Sequence, residues 1–496
     1  MTTSVFIRCD GGTHIGMGHV VRCLALANML RDYFDVSFVL QETEESVYQW
    51  ITQQGFRYTT LSRTTDYEID CTNLLAVLNE KDRNTGVVVL DGYHFKTTYQ
   101  QAIQQQGYKV IAIDDLHSWH HTANAIINHA PDVSPSTYDC EAHTRLLLGL
   151  DYALLRPEIL DASRSKRIVK QAKIFLISMG AADESNCTAF FAQLLVTQFP
   201  HAEVRLLMSS LNPHYTAIQA LAEIHPQIKI YLNLNTHELT DALMQTDVVI
   251  CPASTISIEA CAMGCSLITG YTAPNQLGIL NGLINHGAAI SLGAFQSLTE
   301  TEALNCIRNF SEDINAREKQ LKQQRTLIDG KSACRLALSL LEVSYDCTVR
   351  QASIEDAQLY FEWANDAAVR ANSYQTADIG WDNHVKWFEA AIDSKDNFMW
   401  LYTINGIPAA QMRLKIENNK ATINYSVSAS FRGRGLSKLL LQHTALKLSL
   451  EQNQLKCLLG WVKKNNLPSY RAFERCGYKI VEETGDSVLF QLTIND

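Results

Sequence analysis

What most constrains this chain is a rhythm of short apolar runs separated by amphipathic segments, which starts, restarts and then changes character. Within residues 1–155, strand-like runs at 5–7, 36–40, 87–90 and 110–113 alternate with helical patterns such as Val20-Leu24-Ala27 and residues 97–106. Strands that alternate with helices pair in parallel, and the loops at their carboxyl ends hold ligands. The rhythm begins again at 174–177 and continues through 204–208, 228–232 and 248–251, ending in a polar, helix-like segment over 313–342. Near Thr348 the pattern turns to β-rich segments with two short helices. The expected partition is therefore 1–155, 156–345 and 346–496, and 496 residues suffice for about three domains.

The formal net charge of −10 argues against a general nucleic-acid binder, whose affinity rests on clustered Lys and Arg that displace counterions. It leaves small anions open, because backbone amides at a helix start hold phosphate without net positive charge. The opening MTTSVFIRCDGG has no basic head followed by a long apolar run. No stretch reaches the ~20 apolar residues that span a bilayer. A cytoplasmic chain without membrane contact is expected. The 13 cysteines include no CxxC pair, and Cys261 and Cys265 share one apolar segment, so buried free thiols are expected and no metal. The oligomeric state is open.

The first chemical motif follows the first strand: Asp10-Gly11-Gly12-Thr13-His14-Ile15-Gly16-Met17-Gly18-His19-Val20-Val21-Arg22. Glycines such as Gly16 and Gly18 let backbone approach a phosphate, and the following helix adds free amides and a positive dipole end. His19 falls at that helix start, where the dipole disfavours imidazolium and a neutral imidazole can act as general base toward water. Asp10 could orient it, although acidic turn residues also serve the backbone alone. In the second half, Ser254 and Thr255 can cap a helix and bond phosphate oxygens, with Glu259 about one turn later. Taken singly, His19 and Ser254 read equally as caps and Glu259 as a solvated helix residue.

The GxGHxxR segment with an upstream Asp resembles the UDP-sugar hydrolases of pseudaminic acid biosynthesis. The likeness extends through Val89-Leu90-Asp91-Gly92-Tyr93, Ile113-Asp114-Asp115-Leu116 and Tyr152-Ala153-Leu154-Leu155-Arg156-Pro157-Glu158, and so covers most of residues 1–340. The resemblance implies a GT-B-like pair of Rossmann-like halves that releases UDP from UDP-2,4-diacetamido-2,4,6-trideoxy-β-L-altrose. His19 would be the base, Gly16, Gly18, Arg22, Gly180, Ser254 and Thr255 would meet the substrate, and Glu259 would bind the ribose. Asn275 and Gln276, at the start of a helix, would lie near the sugar and its attacked carbon. In Ile177-Ser178-Met179-Gly180-Ala181-Ala182-Asp183, Ala181 replaces a usual glycine.

A second constellation is Asn424-Tyr425-Ser426-Val427-Ser428 followed by Phe431-Arg432-Gly433-Arg434-Gly435-Leu436-Ser437. This strand, turn and helix resembles the pyrophosphate loop of the GNAT acetyltransferases. Asn465-Asn466-Leu467-Pro468-Ser469-Tyr470-Arg471-Ala472-Phe473-Glu474 resembles their closing motif. The resemblance implies an α+β domain with acetyl-CoA as co-substrate, held by Val427, Arg432, Gly433, Arg434, Gly435, Ser437, Asn465 and Ser469. Phe473 stands where a tyrosine often protonates the leaving thiolate, which leaves Tyr470 or solvent as the acid. Upstream, Trp381-Asp382-Asn383-His384-Val385-Lys386-Trp387 looks like the acceptor side of an amino-sugar N-acetyltransferase. His384 could take the substrate's ammonium proton, or simply pack between the tryptophans.

The two resemblances explain each other, since 4-N-acetylation of UDP-4-amino-4,6-dideoxy-β-L-AltNAc directly precedes UDP removal in that pathway. The expected partner is a UDP-linked amino sugar. The alternatives are a related, legionaminic-like diamino-sugar pathway, a non-catalytic nucleotide-sugar-binding module fused to an acetyltransferase, and a glycosyltransferase.

Overall fold

The computed structural model describes residues 3–12, 17–81, 86–180, 183–209 and 212–494. The chain divides between Ala333 and Cys334 into two compact units.

The first unit holds two parallel sheets. One is ordered β3-β2-β1-β4-β5-β6-β7, from β1 (Ser4–Cys9), β2 (Asp35–Gln41), β3 (Arg57–Leu61), β4 (Gly86–Asp91), β5 (Lys109–Ile113), β6 (Ala125–Asn128) and β7 (Arg145–Leu148). β4, GVVVLD, is buried at every residue, as befits a parallel strand covered by helices on both faces. The second sheet is ordered β10-β9-β8-β11-β12-β13, from β8 (Ile174–Ser178), β9 (Glu203–Met208), β10 (Ile228–Leu232), β11 (Val248–Pro252), β12 (Ser266–Tyr271) and β13 (Ile290–Ala294). Winding reverses between β1 and β4 in one sheet and between β8 and β11 in the other. At such reversals the carboxyl ends of neighbouring strands open a crevice that takes ligands. The expected pair of Rossmann-like halves is present.

The polar segment expected as one helix over 313–342 is two, Ile314–Leu327 and Ser332–Ser344. Gly330, at φ +74°, supplies the left-handed turn between them. The polarity of the first helix points inward: Gln320 accepts from the Leu267 amide and donates to its carbonyl, and Gln324 donates to the carbonyls of Cys265 and Ala288. Buried glutamines here satisfy the backbone at β12, where an apolar side chain would leave it unpaired.

The second unit is a seven-stranded sheet, ordered β14-β15-β16-β17-β18-β20-β19. Its strands are β14 (Cys347–Gln351), β15 (Asn397–Ile404), β16 (Ile407–Glu417), β17 (Lys420–Val427), β18 (Cys457–Lys463), β19 (Lys479–Glu483) and β20 (Ser487–Thr493). Neighbours are antiparallel except β17 and β18, whose parallel pairing covers only Lys420–Thr422 against Cys457–Leu459. β17 runs on to Val427 and β18 to Lys463, so the two part and leave a wedge; β18 stays paired with β20 throughout. This α+β sheet is the GNAT-type region expected. Among the described residues no helix is long and apolar enough to cross a membrane.

Candidate functional sites

At the crevice of the first sheet, β4 ends on Asp91 and the helix after β1, Gly18–Leu30, begins beside it. His19 Nδ1 lies 2.7 Å from Asp91 Oδ1. Arg22, one turn along the helix, grips the same carboxylate twice, Nε to Oδ2 at 2.7 Å and Nη2 to Oδ1 at 2.5 Å. Its Nη1 reaches Asp115 Oδ2 at 3.0 Å. Burial works to raise the Asp91 pKa, but Arg22 and then His19 outweigh it and hold the carboxyl well below its usual range. Arg22 Nη2 also lies 3.1 Å from His19 Nδ1, so Asp91 and Arg22 compete for that nitrogen. With the closer Asp91 as its acceptor, the imidazole carries its proton on Nδ1 and leaves the lone pair on Nε2, as a general base requires. Tyr93, two residues past Asp91, meets the His19 ring edge-on at 5.2 Å, and its hydroxyl bonds to Asn275 from the second half.

Asp10 does not orient His19. Its carboxylate accepts from Arg8 Nη1 at 2.6 Å and from the Gln41 amide at 2.9 Å, within a network that ties Arg8 to Asp70. A fully buried arginine needs those carboxylates, so Asp10 is committed to Arg8, and Asp91 fills the orienting place. Arg22, expected on the substrate, likewise directs its donors to Asp91 and Asp115 and acts as a clamp. Gly18 opens the helix, and Gly16 lies outside the described residues.

Sequence reading assigned no role to Asp91, Tyr93 or Asp115, although Asp91 ends β4, Tyr93 stands two residues beyond it and Asp115 two residues beyond β5. It also passed over His129, just beyond β6. There Nδ1 accepts from the Leu154 amide, while burial and then the charge of Arg22 push the pKa down to about 4. His129 therefore stays neutral and carries its proton on Nε2.

In the second half, Gly180 follows β8 at φ +84°, and Ser254 and Thr255 follow β11 at the start of helix Thr255–Ala262. Ser254 is the N-cap of that helix, and its amide donates to Ser257 Oγ at 3.1 Å, so the two serines form a capping box. Glu259 is not solvated. It is 1% exposed, with Oε1 2.9 Å from Arg156 Nε, yet neither carboxylate oxygen has a well-directed hydrogen bond. Burial raises its pKa against the pull of Arg156. Arg156 also lines a cavity of about 400 Å³ with Asn28, Trp50, Leu234 and Asn235. Asn275 and Gln276 occupy a short 3-10 turn, Pro274–Gln276, ahead of the helix, and Gln276 Oε1 accepts from the Thr272 amide at 2.8 Å.

In the C-terminal unit, Gly433 and Gly435 take φ +77° and +81°, and helix Leu436–Glu451 starts directly after them. These left-handed residues turn the exposed loop into the helix, whose first amides, Ser437 included, have no partner within the helical ladder. Arg432 bonds to Asp366 Oδ1 at 2.6 Å and to the Val427 carbonyl at 3.1 Å, so its charge is compensated within the unit. Arg434 stays exposed, 5.3 Å from the Phe431 ring centre. Helix Leu467–Arg475 is capped by Asn466, which leaves Asn465 exposed just ahead of it.

His384 proves to be a packing residue. It is 2% exposed, surrounded by Phe361, Trp381, Trp387 and Phe388, and its Nε2 meets the Ala357 carbonyl at 3.1 Å. Burial lowers its pKa, and the carbonyl fixes the proton on Nε2, so the ring cannot collect a proton through that nitrogen. Tyr470 packs edge-on against Phe490 at 5.2 Å. The tyrosine that reaches Ser469 is Tyr425 on β17, hydroxyl to Oγ at 3.0 Å, with Ser437 as a further partner. Phe473 lies beneath it, ring centres 6.2 Å apart. All 13 cysteines are free thiols, and among the described residues no group of three or more His, Cys, Asp or Glu could hold a metal ion.

Residues 346–479 match the acetyltransferase (GNAT) domain family. The chain is 28% identical over 265 residues to the UDP-2,4-diacetamido-2,4,6-trideoxy-β-L-altropyranose hydrolase of Campylobacter jejuni, covering 52% of this chain and 87% of that one. An uncharacterised protein of Methanocaldococcus jannaschii is 22% identical over 514 residues, 96% of each chain. An aminoglycoside acetyltransferase solved with coenzyme A aligns over 30% of this chain and 94% of its own, at 15% identity and a TM-score of 0.27. Residues 346–479 are thus a GNAT acetyltransferase domain, and the N-terminal unit is homologous to a sugar-nucleotide hydrolase over 265 residues.

Proposed function

We propose that the chain performs two consecutive steps on one UDP-linked amino sugar, 4-N-acetylation in the C-terminal unit and then release of UDP in the N-terminal unit. The observation that carries the hydrolytic half is the Arg22–Asp91–His19 array at the switch point between β1 and β4. His19 Nε2 takes a proton from water, whose oxygen adds to the anomeric carbon as the bond to the diphosphate oxygen breaks, with inversion. UDP leaves intact. Amides near Gly18, Ser254 and Thr255 would receive the departing charge. Asn275, held by Tyr93, would face the sugar. The donor-poor carboxylate of Glu259 suits a ribose, whose hydroxyls would supply the missing hydrogen bonds.

In the other unit the wedge between β17 and β18 gives the acyl donor an entry beside the helix amides after Gly435. The neutral substrate amine attacks the thioester carbonyl, the C–N bond forms, the nitrogen releases a proton to water, the C–S bond breaks and the thiolate leaves. Tyr425, bonded to Ser469, would protonate that thiolate where Phe473 has no hydroxyl, and would recover its proton from solvent. We assign the substrate to the pseudaminic acid pathway, a reading supported by the likeness to the Campylobacter UDP-2,4-diacetamido-2,4,6-trideoxy-β-L-altropyranose hydrolase.

The test is NMR of products from UDP-4-amino-4,6-dideoxy-β-L-AltNAc with acetyl-CoA. Free 2,4-diacetamido-2,4,6-trideoxy-L-altrose and UDP are expected. In water enriched in oxygen-18 the early product should carry label on its anomeric oxygen, and label in the UDP phosphate would reject the role of His19.

A further inference from the structure

Two faces of the C-terminal sheet divide the labour at the wedge. β16 and β17 pair Arg413 with Asn424 and Met412 with Tyr425, so Arg413 and Asn424 share one face and Tyr425 projects from the other. Tyr425 meets Ser469 on the acyl-donor side. Arg413 meets helix Trp381–Asp393, its guanidinium carbon 5.0 Å from the ring centre of the exposed Trp387.

The charge on that second face is uncompensated. Arg413 donates through Nη2 to the neutral Asn424 side chain, and its Nε is buried without a partner. Arg370, close enough to bear electrostatically on Arg413, donates only to the carbonyls of Gln375 and Ala377 and to Ser373 Oγ, and its Nε is also buried and unpartnered. Lys463, at the end of β18, donates to the carbonyls of Ser373 and Ala371 at 2.7 and 3.4 Å. The nearby acids are engaged elsewhere, Asp366 with Arg432 and Asp356 with Arg350. Burial and then the charge of Arg370 push the Arg413 pKa down to about 10, with only Tyr360 opposing. In a chain of net charge −10, the described groups that bear on the buried Arg413 are Arg370 and Tyr360, with no carboxylate, and Lys463 donates to the same Ser373 that Arg370 does. Desolvated cations without counter-charge are costly, and a multivalent anion with many acceptor oxygens offsets that cost.

We infer that Arg413 and Arg370, with Lys463 at the rim, form a phosphate site on the acceptor side of the wedge, which selects an amine still linked to a nucleoside diphosphate. This rests on the reading of the C-terminal unit as an amino-sugar N-acetyltransferase. It gives the order already proposed a physical basis in this unit: acetylation precedes loss of the nucleotide because the free sugar lacks the group this site holds.

The test uses the full chain carrying His19→Asn, so that the acceptor is not hydrolysed, and follows release of coenzyme A thiol. Two acceptors are compared, the UDP-linked 4-amino sugar and the same sugar without UDP. The parent should favour the UDP-linked acceptor, and Arg413→Gln should shrink that preference at least tenfold through the acceptor KM, the loss typical of one charge-assisted hydrogen bond to phosphate. Lys463→Met should shrink it less, and serves if the arginine variant fails to fold. UDP alone should compete with the acceptor, less well in either variant. A preference left unchanged overturns the site, and a rise confined to the acetyl-CoA KM assigns the arginines to the donor's own phosphates instead. If neither sugar is acetylated, the amino-sugar reading fails by itself. The site is then judged by phenylglyoxal labelling and peptide mass spectrometry: UDP must shield Arg413 and Arg370, and absence of shielding overturns it.

Discussion

At the crevice of the first sheet, charged side chains reach one another across β1, β4 and β5 and fix a single imidazole. In the C-terminal wedge the corresponding work falls to main chain: two left-handed glycines, the amides that open a helix, and strands that part after three residue pairs. The first arrangement concentrates the reaction on a few irreplaceable atoms and hides a costly ion pair to do so. The second spreads recognition over groups that every residue possesses. Single substitutions should therefore strike the first site harder than the second, and each should leave the other activity standing.

The sharpest break is His19→Asn, which should lower UDP release by about 10²–10⁴-fold, the range of a lost general base, with acetyl transfer unchanged. One substitution in a folded chain that silenced both reactions would dissolve the contrast. Asp91→Asn should follow. It leaves Arg22 buried beside a neutral amide, at ~3–5 kcal/mol of stability, seen as an earlier thermal transition of the N-terminal unit alone. The pH dependence supplies a second reading. Because the folded Asp91 pKa lies below its unfolded value near ~3.9, its stabilisation is present above that pH and lost as pH falls toward the folded value. The variant should lack this acid-linked component.

Gly435→Val comes third. A β-branched residue at φ +81° carries about 1–3 kcal/mol of backbone strain, which should appear as a raised KM for acetyl-CoA while UDP release persists. The smallest effect belongs to His384→Gln, which can keep a donor toward the Ala357 carbonyl. It should leave the pH profile of acetyl transfer in place, and a displaced acidic limb would restore His384 as a base.

These contrasts also govern what could be read in the sequence. The helix-start histidine and the two glycine loops were legible because each motif is contiguous, and so was the centre of each parallel sheet, where strands such as β4 are continuous apolar runs. Strands β3, β6, β7, β12 and β13 were not read, the first because RYTTL is largely polar. The partner of His19 was not, because Asp91 lies 72 residues away and only the strand order β1-β4 brings them together. Asp10, nearer in sequence, looked the better candidate until Arg8 claimed it. His384 stayed ambiguous because a histidine between tryptophans has the same sequence whether its nitrogen faces a carbonyl or a substrate. Arg413 gave no signal, since alternation along a strand says which residues share a face but not whether a carboxylate waits there.

The parting of β17 from β18 bears on how this unit can change over generations. Along Asn424–Val427 the edge facing the gap offers the same carbonyls and amides whichever side chains the strand carries. Drift on the acceptor face can then trade one amine for another while the seat of the acyl donor survives. A lineage could retarget such a module without rebuilding it, whereas loss of Asp91 or Arg22 in the neighbouring unit would leave no comparable route back.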